Sequence, residues 1–207
     1  MKKQEVIKHY SNKYTFSTFI RMLYSFIMTR LFWKKARIIE YPVYVHGKRK
    51  IKYGKGLMLG HGCRIDAVND EKKTLLIGNN CDFGNFCHIS AVNNVIIGDN
   101  FLCGDFVFIG DSCHGLYSFV HDLDESNPSE PPSKRLLIGS DVIIGNNVWL
   151  GDKVSVMPGV TIGDGCVVGT NSVVTKDLPS NTICVGNPAK PIKQWNKTRK
   201  EWENVQR

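Results

Sequence analysis

The chain has 207 residues, 42% hydrophobic and 22% charged, which excludes a disordered or fibrous protein and fits one globular domain with appendages. Its net charge of +8 is unevenly placed: residues 1–55 hold fourteen Lys and Arg against Glu5 and Glu40, a net +12, which leaves −4 for the remainder. Seven cysteines stand apart without a CxxC pair or zinc-ligand spacing, which excludes a disulfide framework and reads as reduced thiols of a cytoplasmic protein.

Residues 1–55 form a basic N-terminal segment. Within it, residues 16–33 (FSTFIRMLYSFIMTRLFW) predict a helix with one narrow polar stripe of Ser17, Thr18, Arg21, Ser25 and Thr29. The rest of that helix surface is apolar and aromatic. The stretch is too short and too charged to span a membrane. Two readings stay open: it caps the end of the main domain, or it lies in a membrane interface between its basic flanks. The apolar stretch starts too late for a cleavable signal and lacks a small-residue cleavage site. No recognised nucleic-acid module accompanies the charge, so no nucleic-acid partner is expected.

Further along, a six-residue pulse sets in. Leu59, Ile65, Ile77, Phe83 and Ile89 share one phase, broken at Glu71. Ile97, Cys103 and Ile109 share another, shifted by two, which predicts an insertion near Val92 to Val95. Between about 110 and 135 the pulse vanishes in a polar stretch, DSCHGLYSFVHDLDESNPSEPPSK, read as a loop thrown out of the fold and a place for function. The pulse then returns cleanly at Ile138, Ile144, Leu150, Val156, Ile162, Val168 and Val174. A period of six fits neither a helix nor an ordinary strand. It fits a coil of short strands and tight corners, three hexads to a turn of about eighteen residues. Three places after the aliphatic residue come Asp141, Asn147, Lys153, Gly159, Gly165 and Asn171, mostly types that tolerate positive φ. The β-helix is expected over 56–187, with about five or six turns. Residues 188–207 predict a C-terminal helix, because Ile192, Trp195, Trp202 and Val205 recur at spacings of three, seven and three.

The runs NNVWLG, MPGVTIGDG, SVVTKDLP and GNPAK, with DSCHG upstream, resemble the hexapeptide-repeat acetyltransferases of the maltose/galactoside and O-antigen sugar type. The resemblance covers roughly residues 75–193. It implies an all-β, left-handed parallel β-helix, a homotrimer, acetyl-CoA as cosubstrate without a metal, and a sugar or lipid-linked saccharide acceptor. It places His114 of DSCHG at the catalytic position, as the general base for an acceptor hydroxyl. Ser112 and Cys113 depart from the commoner form of that motif. Trp149 matches a family tryptophan beside the histidine, with its backbone N–H a candidate for the developing oxyanion. Asn85, His88 and Asp111 are the acceptor-side candidates, Asp111 also as an orienter of the imidazole. Gly151, Thr170 and Thr175 would follow the pantetheine arm, and Lys176, Lys190 and Lys193 the CoA phosphates. An acyl-enzyme on Cys113 is not expected, since the family transfers directly.

Other readings remain beside this one. The acceptor could be an antibiotic hydroxyl or an amino-sugar nitrogen. A γ-type carbonic anhydrase uses the same coil with three zinc-bound histidines, but the pair His114 and His121 does not match its spacing. A non-catalytic scaffold would have no use for DSCHG. The protein is expected in the cytoplasm, and peripheral contact with the inner face of the plasma membrane belongs to the second of the two open readings of the N-terminal segment.

Overall fold

A computed structural model describes residues 15–68, 74–117 and 126–205. Short strands succeed one another around a triangular prism. The first turn is β1 (Ile38–Ile39), β2 (Tyr44–His46) and β3 (Ile51–Tyr53); the second is β4 (Met58–Leu59), β5 (Arg64–Ala67) and β6 (Leu75–Ile77). The third is β7 (Asp82–Phe83), β8 (His88–Ala91) and β9 (Val95–Ile97). The fourth begins with β10 (Leu102–Cys103) and β11 (Phe108–Gly110), leaves the prism through β12 (Ser112–His114), returns through β13 (Leu137–Gly139), and closes with β14 (Val142–Ile144). Then come β15 (Trp149–Leu150), β16 (Ser155–Val156) and β17 (Thr161–Ile162), followed by β18 (Val167–Val168) and β19 (Val173–Val174). The chain ends with β20 (Thr182–Gly186), β21 (Ala189–Asn196) and β22 (Glu201–Asn204).

Every third strand stacks in parallel on one face. The first face runs β1-β4-β7-β10-β15-β18-β20, the second β2-β5-β8-β11-β16-β19, and the third β3-β6-β9-β14-β17. Seven rungs on the first face make about seven turns, where five or six were expected. The extra turn is β1 to β3, so the coil begins inside the basic segment and not at residue 56.

The hexad pulse points inward, as expected. Leu59, Phe83, Cys103, Leu150 and Val168 stack in register on the first face and are all buried. The corners also match: Asn147, Lys153, Gly159, Gly165 and Asn171 all have positive φ. Each coil hydrogen-bonds the next through its corners. In one column the His61 N–H donates to Asn85 Oδ1 at 3.0 Å, the Asn85 N–H to Asp105 Oδ1 at 2.6 Å, and the Asp105 N–H to Asp152 Oδ1 at 2.8 Å. All seven cysteines are free, and six are buried. A hydrogen bond with Cys103 and burial push the Cys87 thiol up to about 12, so it stays protonated and inert.

The helix α1 (Phe16–Phe32) closes the start of the prism. It docks by its polar stripe. Ser25 and Thr29 are its buried residues; Ser25 Oγ accepts the Tyr41 N–H at 3.0 Å and Thr29 Oγ1 the Ile39 N–H at 2.9 Å. These bonds satisfy the open edge of the first face, which would otherwise template pairing with another chain. The capping reading therefore describes what the stripe does.

The predicted C-terminal helix is absent: residues 189–204 form an antiparallel hairpin that continues the first face. Trp195 lies directly opposite Trp202, their rings edge to face at 5.3 Å, and the Val205 N–H donates to the Ile192 carbonyl at 3.0 Å. The turn between them is closed by Asn196, whose Oδ1 accepts the N–H of Thr198 and of Arg199. An aromatic pair seven residues apart mimics a helix face, yet here it is one cross-strand contact.

Candidate active site

The excursion DSCHG leaves at the corner between the second and third faces. There β12 and β13 pair antiparallel, with Ser112 opposite Gly139, Cys113 opposite Ile138 and His114 opposite Leu137. Asp111 anchors this ribbon. It is fully buried; its carboxylate accepts the N–H of Val92 at 2.9 Å and of Asn93 at 2.7 Å, and its carbonyl accepts the Ser140 N–H at 2.7 Å. One residue, through its carboxylate and its backbone carbonyl, thus ties down the two-residue phase shift near Val92 and the root of the ribbon together. Burial pushes the Asp111 carboxyl up, and the backbone donors pull it back.

His114 is exposed on the outgoing strand. Among the described residues no hydrogen bond holds its imidazole, so Asp111 does not orient it. Its carbonyl accepts the Tyr117 hydroxyl at 2.6 Å; that oxygen in turn accepts from Arg135 Nη1 at 2.7 Å, and Arg135 Nη2 donates to the Glu130 carbonyl at 2.7 Å. This chain of contacts ties the two stems of the loop beside the histidine. Gly115, at φ +115°, leaves room for the Tyr117 hydroxyl, since a Cβ there would stand 2.6 Å from it. The Cys113 thiol is exposed and donates to the Gly115 carbonyl at 3.2 Å.

Trp149 lies on the first face, in register between Leu102 and Val167, and is 51% exposed. Its N–H donates to the Cys166 carbonyl at 2.9 Å. That corrects the oxyanion expectation: the ladder engages this donor, and the indole is what Trp149 presents outward. In a triangular prism the corner between two faces lies opposite the third. His114 and Trp149 therefore stand on opposite sides of one chain.

The other candidates divide between these two sides. Gly151 and Thr170 adjoin at the corner that follows the first face, where a Cβ on Gly151 would come within 2.7 Å of the Thr170 nitrogen. Thr175 and Lys176 are exposed just after β19, along the edge from which the ribbon leaves. Lys190 lines a cleft of about 710 Å³ formed by the C-terminal hairpin, with Val185, Pro188 and Val205. Lys193 is half-buried in β21, opposite Ile183. Asn85 is a corner residue whose amide also donates to the Asp105 carboxylate at 3.2 Å.

His88 belongs to a group the sequence reading missed. On the outer side of the second face, Asp66 is approached by His46 Nδ1 at 2.5 Å, Arg64 Nε at 2.6 Å and His88 Nε2 at 3.0 Å. Burial alone would raise the Asp66 carboxyl. The three hydrogen bonds and the Arg64 charge outweigh it and hold the group at about 2. The two-residue alternation of RID and the rung relation of residues 64 and 88 carried that signal. Among the described residues no group of three His, Cys, Asp or Glu is placed to hold a metal ion. His121 lies outside the described residues.

Comparison with known proteins agrees with this architecture. The family model described as bacterial transferase hexapeptide (six repeats) matches residues 141–176. The chain is 39% identical over 195 residues to the Escherichia coli (strain K12) protein named as a lipopolysaccharide biosynthesis O-acetyl transferase, WbbJ, covering 94% of this chain and 97% of that one. A crystal structure of AntD, an N-acyltransferase from Bacillus cereus in complex with dTDP and 3-hydroxybutyryl-CoA, superposes with a TM-score of 0.63 at 18% identity, covering 79% of this chain and 84% of AntD. At that identity AntD shows the shared fold alone. The near full-length match to WbbJ goes further: the chain belongs to the hexapeptide-repeat acetyltransferases and is an acyltransferase of that left-handed parallel β-helix family.

Proposed function

We propose that this protein transfers the acetyl group of acetyl-CoA to a hydroxyl of a saccharide acceptor, with His114 as general base. The observation that carries the reading is the exposed His114 on a ribbon rooted by a fully buried Asp111. A sugar hydroxyl is a weak nucleophile, so its proton must leave as its oxygen attacks the thioester carbonyl. His114 takes that proton. The tetrahedral adduct then collapses with cleavage of the carbon–sulfur bond. The imidazolium returns the proton to the departing CoA thiolate, and the products are an acetyl ester and CoA. Cys113 takes no part.

On the donor side, the Trp149 indole would flank the thioester. Gly151, without a side chain beside Thr170, would keep a groove open for the pantetheine arm. Thr175 would line the arm from the other edge, where the ribbon leaves, and Lys176, Lys190 and Lys193 are the cations for the CoA phosphates. Asn85 and His88, both on the third coil, remain the acceptor-side candidates. A homotrimer completes the site, since a second copy is needed to bring Trp149 to the ribbon. The likeness to an O-acetyl transferase of lipopolysaccharide biosynthesis favours oxygen over nitrogen as the acceptor atom, and a sugar or lipid-linked saccharide as the acceptor. In this reading the enzyme is cytoplasmic, and a lipid-linked acceptor brings it to the inner face of the plasma membrane.

The test is CoA release from acetyl-CoA across free sugars, lipid-linked saccharides, antibiotics and amines. Saccharides are expected to support turnover. His114→Ala should lower kcat by about 10²–10⁴, the usual worth of general-base assistance, while CoA still binds. Cys113→Ser should be active. Full activity in His114→Ala, or mass-spectrometric capture of an acetylated Cys113, overturns the mechanism.

A further inference from the structure

The N-terminal helix is inside out. Ser25 and Thr29 of its polar stripe face the protein, and the opposite face carries Phe16, Phe19, Ile20, Leu23, Ile27 and Leu31, each between 50% and 79% exposed. These residues follow i, i+3, i+4, i+7 spacing, so they form one continuous stripe along about 22 Å of helix. A soluble helix normally buries such a stripe and shows its polar side to water. An exposed apolar patch of this extent marks an interaction surface.

Charge decides the occupant. Residues 16–32 contain no Asp or Glu, and Arg21 and Arg30 are exposed on the helix. Lys34 and Lys35 follow at its end, both exposed. Arg30 lies over the Phe26 ring at 4.9 Å, and Lys48 over the Phe32 ring at 5.4 Å, so cations rim the aromatic part of the patch. A second copy of this helix would set like charges against each other. An anionic lipid surface takes both features at once, the acyl region receiving the stripe and the headgroups the cations. No described helix is long and apolar enough to cross a membrane, so the geometry is one of lying on the bilayer.

We infer that α1 is a membrane-docking element: its Phe16–Leu31 stripe sinks into the interface of an anionic bilayer while Ser25 and Thr29 keep it clamped to the first turn of the prism. The inference does not rest on the acetyl-transfer reading, and its test uses neither acetyl-CoA nor acceptor. The full chain is mixed with vesicles of phosphatidylcholine and phosphatidylglycerol at roughly three to one, and with phosphatidylcholine alone, then separated by flotation. Binding is expected to the anionic vesicles, to weaken with salt, and to fall at least about tenfold in Leu23→Glu/Ile27→Glu. Both positions are exposed, so the variant should keep the circular dichroism and melting of the parent. Equal flotation of parent and variant, or no flotation of either, overturns the inference. So does a change of oligomeric mass in the variant without a change in vesicle binding, which would make the stripe a contact between copies.

Discussion

Two carboxylates show how differently one residue type can be used on this frame. Asp111 is a structural root. Replacing it with Ala removes the carboxylate that the half-buried N–H groups of Val92 and Asn93 donate to, at a cost of about 1 kcal/mol for each bond. Asp111→Ala is therefore expected to lower the urea midpoint clearly, while Asp111→Asn, which keeps one carbonyl oxygen, loses less. Loss of turnover in Asp111→Ala with an unchanged midpoint would instead make this carboxylate an acceptor ligand. Asp66 is an electrostatic clamp across three coils. Its folded pKa, about 2, lies below the ordinary 3.8, so its stabilisation is present above about 4 and is lost as pH falls toward 2. With Arg64 and His46 well exposed, the contribution is on the order of 1–2 kcal/mol. The stability gap between parent and Asp66→Asn, followed by urea unfolding, should be full at pH 5 and close as the pH approaches about 2. A gap independent of pH would mean that Asp66 is not ionised in the fold.

At the scale of elements, what could be read in the chain followed from how local the signal was. The hexads from Ile144 to Val174 are uninterrupted, and their inward aliphatics and positive-φ corners emerged as expected, whereas Ile138 stands half-buried in the ribbon and the Asp141 corner has no positive φ. The first turn obeyed the same rule, Ile39, Val45 and Ile51 standing six apart, but its outward positions are filled by Lys and Arg that made it look like a basic arm. Two corners broke the composition rule: Phe86 and Phe106 hold positive φ, and their rings stack at 5.2 Å. A bulky residue in that region is strained, so composition alone does not foretell it. The C-terminal helix failed because two tryptophans at a helical spacing were in fact cross-strand partners. Their turn depends on Asn196 binding its own backbone, a local alternative to helix. In the site, DSCHG and Asp111 were legible as a motif. The Asp66 group was not, because it joins residues 46, 64, 66 and 88, which only the stacking of coils brings together. The fate of the Trp149 N–H was equally invisible, since its partner is a rung away.

For the whole molecule, the decisive geometry is that the ribbon and Trp149 sit on opposite sides of the prism. The proposed closed threefold assembly would resolve it: one copy's ribbon would meet the next copy's first face, and each interface would make one complete site. In that proposed trimer the same rotation would keep all three copies of α1 at one height along the axis, so the three helices would present themselves to one surface together. The proposed trimer makes a sharp prediction. His114→Ala and Trp149→Ala subunits should each be impaired alone, the first because no base is present in any site, the second because no indole flanks the donor. In mixed trimers assembled from equal amounts, an interface regains both groups when a Trp149→Ala subunit supplies His114 and a His114→Ala neighbour supplies Trp149. Random assembly gives that arrangement at about a quarter of the interfaces. Co-expressed variants should therefore recover roughly a quarter of parental turnover, and each variant mixed with itself should recover none. A monomer by light scattering across micromolar concentrations would remove the premise. A trimer that shows no complementation would place Trp149 outside the site.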